Sequence, residues 1–108
     1  MRKVLPIRVP VYLDTEVISG KKSFAGMIGN LSEDGAFVET IPTKTVTPFI
    51  PGKTFDLKFS VSAKITIILV CKVIWLYVKK DESGGLVNSM GLKIISSPGP
   101  YKKYLQSL

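Results

Sequence analysis

Asn30, Ser32 and Gly35 stand at the spacing Asn-x-Ser-x-x-Gly within Gly29-Asn30-Leu31-Ser32-Glu33-Asp34-Gly35. An amide donates and accepts, a hydroxyl does both from one atom, and a glycine lets the backbone pass close beneath a ligand. The same residue types also make a plain turn between strands, because they bond their own backbone or tolerate positive φ. Spacing alone leaves both uses open. Other chemistry is sparse. The chain has no histidine, which removes the commonest general base and the commonest metal ligand. Its single cysteine, Cys71, lies in an apolar run, as an inert buried thiol would. No cysteine cluster, phosphate loop or spaced carboxylate pair stands in, so neither catalysis nor a metal site is expected.

Charge narrows the partners. With 15 Lys and Arg against 8 Asp and Glu, the net charge is +7, which favours nucleotides, nucleic acid or an acidic protein surface. The lysines are scattered (Lys21, Lys22, Lys79, Lys80, Lys102, Lys103) instead of interleaving with aromatics on one strand face, which disfavours nucleic acid. Pro6, Arg8 and Pro10 interrupt any secretory signal core. The longest apolar stretch, 65–78, contains Lys72 and is too short to span a bilayer as a helix. The expectation is a soluble cytoplasmic protein with no membrane insertion, and an unpaired cysteine suits that reducing compartment.

The elements that must position these residues follow from punctuation and periodicity. At 108 residues the chain forms one domain, 1–108, with its own core. Residues 1–8 are a basic segment kept out of a helix by Pro6. Strands are expected at 9–17, 24–31 and 36–40, separated by a Gly20-Lys21-Lys22-Ser23 turn and the Ser-Glu-Asp-Gly turn. Pro42, Pro48, Pro51 and Gly52 make 41–54 a loop, anchored by Phe49 and Ile50. Strand 55–61 alternates Phe55, Leu57, Phe59 and Val61 inward.

Strand 65–78 is apolar on both faces. Ile67, Leu69, Cys71, Val73, Trp75 and Tyr77 are assigned inward. The alternate face, including Ile68, Val70, Ile74 and Leu76, then needs cover from the C-terminal helix, from a second copy of the chain, or from both. Strand 86–95 follows, with Gly91 at a bend. Tyr101, Tyr104, Leu105 and Leu108 at helical spacing give a short helix over 101–108 that packs on the sheet. Six strands with turns between them and one terminal helix predict an all-β fold, a six-stranded antiparallel β-barrel over 9–95.

In this order the features resemble the PilZ domain, a bacterial receptor module for cyclic di-GMP. The resemblance rests on Asn30-Leu31-Ser32-Glu33-Asp34-Gly35, Arg8-Val9-Pro10-Val11, Ala36-Phe37-Val38-Glu39-Thr40, Pro51-Gly52, Val73-Ile74-Trp75 and Met90-Gly91-Leu92, and so covers essentially the whole chain. It implies a nucleotide-binding signal-transduction domain that is not an enzyme, needs no cofactor, takes cyclic di-GMP as ligand and acts on a protein effector. It also implies ligand-binding roles for Arg8, Asn30, Ser32 and Gly35. The family's first arginine, four residues before Arg8, is Val4 here; Arg2 and Lys3 are the cations near enough to replace it. An arginine fork bonds a phosphate or the guanine O6/N7 edge through two N–H groups, which lysine cannot do. The alternative implied by Val4 is an adaptor that has lost the nucleotide and works through protein contacts.

Overall fold

The computed structural model describes residues 8–44 and 49–108, and Arg2, Lys3 and Val4 lie outside that range. Six strands, β1 (Val9–Ser19), β2 (Lys22–Leu31), β3 (Gly35–Thr40), β4 (Thr54–Ser62), β5 (Ile65–Lys80) and β6 (Leu86–Ser96), are followed by the helix α1 (Gly99–Gln106). The strands close into a barrel in the order β1-β2-β3-β6-β5-β4, and every adjacent pair is antiparallel. The expected barrel and its terminal helix are therefore present, with the helix starting two residues before its expected 101. Gly20, at φ 62, makes the tight β1–β2 turn where a side chain would be strained.

The interior is filled by alternate residues of every strand. Val17, Ile28, Leu31, Val38, Leu57, Ile67, Leu69 and Met90 are fully buried. Leu31 reaches the interior three residues after Ile28 because the β2–β3 register shifts between Ile28 and Asn30, a bulge at Gly29. The bulge turns Asn30 outward beside Phe37, its cross-strand partner. The loop before β4 is only half anchored as expected: Phe49 is buried edge-on against Phe24 and Phe55, while Ile50 is exposed.

One expectation fails on β5, and one of the alternatives for covering it is not taken. Trp75 and Tyr77, assigned inward, are 46% and 61% exposed. The β5–β6 register shifts between Val73 and Trp75, so one extra residue reverses the alternation, and Leu76 packs on the core instead. Nor does the helix cover the outer face of β5, where Ile68 and Ile74 stay exposed. It closes one end of the barrel. Tyr101 is buried edge-on against Phe59, Tyr104 lies tilted at 58° beside the same ring, and Lys102 lies 3.9 Å from Glu33. Filling a barrel mouth with an aromatic ring contributes about 1.5–3 kcal/mol. Covering β5 would have left that mouth open.

Candidate ligand-binding rim

The barrel end closed by α1 also carries the β2–β3 turn and the start of β1. There Arg8 Nη1 donates to Asn30 Oδ1 at 3.0 Å, across 22 residues of sequence. The same guanidinium lies over Gly35: a β-carbon on Gly35 would stand 2.8 Å from Arg8 Nη2. Glycine is needed here for close approach, since its φ is not in the left-handed region. Arg8, Asn30 and Gly35 thus meet on the outer surface.

Ser32 points elsewhere. It is 2% exposed, and its Oγ accepts from the Gly35 N–H at 2.9 Å while lying 3.2 Å from Gly35 O and 3.3 Å from Asp34 Oδ1. Its backbone N–H donates to Gly35 O at 2.8 Å. Those bonds close the turn on itself. Outer contacts pin the turn: Ile94 N–H donates to Asp34 O at 2.8 Å, and Tyr101 Oη donates to Ser32 O at 2.6 Å. Burial holds the Tyr101 phenol well above its ordinary titration range, so it stays a donor.

Register extends the site across the barrel. Asn30 pairs with Phe37, Phe37 with Gly91 and Gly91 with Trp75, so these residues form one outward row. With no side chain on Gly29 or Gly91, Phe37 lies over the first and Trp75 over the second; the two rings are 5.9 Å apart and tilted by 32°. Nearer the closed end a second row runs from Gly35, under Arg8, to Lys93 and Lys72. The rows are about 7 Å apart along the strands; the first crosses about 14 Å of sheet and the second about 10 Å. One is aromatic and the other cationic. Trp75 was missed from sequence because the alternation of β5 was phased without its bulge, and Phe37, Lys72 and Lys93 because their place beside Arg8 follows from cross-strand register; Gly29 and Gly91, each under an aromatic ring, were the available signal.

Among the described residues no group of acidic, histidine or cysteine side chains could hold a metal ion. No helix among them is long and apolar enough to cross a membrane. Burial pushes the Cys71 thiol up to about 12, the state of an inert core residue.

The chain is thus a small closed six-stranded barrel with a helix across one mouth and a hydrogen-bonded Arg–Asn pair over a glycine at that rim. The family model for the PilZ domain matches residues 5–108, and the chain belongs to that family. Among solved structures, it is similar to the PilZ domain with c-di-GMP of YcgR from Escherichia coli, with a TM-score of 0.71 and 10% identity, covering 97% of this chain and 87% of that one. It is also similar to the Bacillus subtilis inhibitor of motility MotI/DgrA, with a TM-score of 0.70 and 15% identity over 97% of this chain. The chain spans about half of that protein, 48% of its length. At such identities the likeness shows the fold. No curated protein sequence matches.

Proposed function

We propose that this chain is a receptor domain for cyclic di-GMP, and that binding is passed to a protein partner through the basic segment 1–8. The observation that carries the reading is the Arg8 guanidinium, fixed by Asn30 Oδ1 over the bare backbone of Gly35. Only one of its N–H donors is spent on Asn30. The remainder of the fork is free to take a phosphate, or the O6/N7 edge of guanine. The Asn30 amide adds a donor next to it. Phe37 and Trp75 supply a flat apolar surface for a purine, while Lys93 and Lys72 add positive charge beside it. A dianionic dinucleotide of two purines uses each of these. Gly35 and Ser32 serve by shape: the one leaves room for Arg8, the other holds the turn.

Val4 favours a second reading, an adaptor that acts without nucleotide. A charge-assisted hydrogen bond is worth about 1.5–3 kcal/mol, or roughly ten- to a hundredfold in affinity. Loss of one arginine therefore weakens a receptor without emptying it. Calorimetric titration with cyclic di-GMP separates the readings. The natural chain should bind weakly, and less with added salt, as screening removes the Coulombic share from Arg2, Lys3, Lys72 and Lys93. Val4→Arg should strengthen binding by about tenfold or more, and Arg8→Ala should abolish it in both backgrounds. No heat from the natural chain at high ligand concentration, with no gain from Val4→Arg, would establish the nucleotide-free adaptor.

A further inference from the structure

On the side of β5 away from β6, β4 pairs only as far as Lys72, through Thr54. The loop then takes over for one residue: Val73 N–H donates to Lys53 O at 2.9 Å, and Gly52 N–H to Val73 O at 2.8 Å. From 74 to 80 the strand continues, paired with β6, and no described residue pairs with its other edge. This arm carries Ile74, Trp75, Tyr77 and Val78, which are 54%, 46%, 61% and 45% exposed. A long apolar strand edge is a template for another strand, and folds that avoid such pairing shorten or cover the edge.

We infer that the free edge of β5 is a homodimer interface, in which 74–80 pairs antiparallel with the same stretch of a second copy. Its register follows from the length of the edge. Lys53 blocks it at Val73 and the β5–β6 turn ends it after Lys80, so full use of the edge puts the two-fold axis at Tyr77. Each Tyr77 then faces its counterpart, Leu76 faces Val78, and Lys79 faces Trp75. Residues directly opposite share a face. The outer face joins Trp75, Tyr77 and Lys79 in aromatic and cation–π contacts, while the other face joins Leu76 and Val78. The charges agree with this register. Asp81 and Glu82, at the tip of one arm, arrive where Lys53 closes the edge of the other. A symmetric partner is required by none of the ligand chemistry above, although Trp75 belongs to both surfaces. The pairing also gives the exposed apolar residues of 74–78 the cover that α1 does not.

A cysteine at the axis tests the register. Opposed residues in an antiparallel pair are about 4.5–5.5 Å apart at Cα, within the reach of a disulfide. Under mild oxidation Tyr77→Cys should give a covalent dimer at least about tenfold faster than Tyr12→Cys, a control at an exposed site (83%) on β1. Buried Cys71 does not compete. Equal rates for the two variants, or no covalent dimer, would overturn the inference. Sedimentation equilibrium tests the charges without touching the arm's packing. Glu82→Lys and Lys53→Glu should each weaken dimerisation about threefold. An equimolar mixture should recover it, because each reversed charge then meets its opposite. A natural chain that stays monomeric at every concentration, or a mixture no tighter than either variant, would count against the proposal.

Discussion

Ser32 and Asn30 are two residues apart in one turn and hold different bonds, so Ala at each should be read out in different measurements. Ser32 Oγ is buried and satisfies the Gly35 N–H at 2.9 Å. Ser32→Ala leaves that donor without its partner, which costs about 1–3 kcal/mol. A lower denaturant midpoint is expected, with ligand affinity lost only as far as the turn loosens. Asn30 is bonded to Arg8 at an exposed pair, so Asn30→Ala should change stability by no more than about 0.5 kcal/mol. Under the receptor reading, the same change should lower cyclic di-GMP affinity about tenfold or more. Denaturant melts and titrations of the two variants check both statements. Asn-x-Ser-x-x-Gly was legible in the sequence as a motif. Its division of labour was not, since which polar group faces solvent depends on the Gly29 bulge and on Tyr101 arriving from 69 residues away.

At the scale of elements, the strand boundaries were legible wherever glycine, proline or charge interrupts the apolar pattern. Gly20-Lys21-Lys22-Ser23 marks a turn, though Lys22 and Ser23 themselves fold into β2, and β4 alternates between buried and exposed as its sequence does. β5 is different. Its residues are apolar in both phases, so period-two alternation has no contrast with which to place a bulge, and the inward face is assigned correctly only through Val73. The partner strand held the missing information. A β-carbon at Gly91 would stand inside the Trp75 indole, so a glycine facing a tryptophan signals a ring laid flat on the sheet. The helix was legible from the spacing of Tyr101, Tyr104 and Leu105, but its destination was not. Aromatic side chains fit a barrel mouth and a sheet face equally well until the closure of the strands is known.

For the whole molecule, the buried acids of the core set a limit at high pH. Folding raises the Cys71 thiol from an ordinary 9.0 to about 12, through burial first and then the nearby Asp56 charge. Burial raises the Tyr101 phenol above its ordinary 10.0 as well. In each case the folded chain holds a proton that the unfolded chain releases. The stabilisation is therefore complete below about pH 9 and is lost as pH rises through the folded values. The thermal midpoint should be flat from about pH 6 to 8 and fall steadily above 9. Cys71→Ala should make that fall shallower, which a melt series in alkaline buffers would reveal. An alkaline slope identical in the variant would mean that the tyrosines, Tyr101 and Tyr104, carry it.

The seam between β1 and β4 has a kinetic meaning. Only Glu16, Val17 and Ile18 pair across it, and at its end the Thr15 hydroxyl donates to Lys58 O at 2.8 Å. Those partners are about forty residues apart in sequence, and the seam completes the circle of strands. The hairpins β1–β2, β2–β3, β4–β5 and β5–β6 close short loops, and their entropic cost is correspondingly smaller. Two three-stranded ribbons, β1–β2–β3 and β4–β5–β6, therefore form before the circle does. β3–β6 joins them through five pairs and β1–β4 through only three, so the β1–β4 seam is the weaker closing step. Reversal of that step is the smallest opening that admits solvent to the core without dissolving any hairpin. In native-state hydrogen exchange, the amides of Glu16, Ile18 and Lys58 should exchange ahead of those of Leu69 and Met90. Exchange at one common rate would mean instead that the barrel opens all at once.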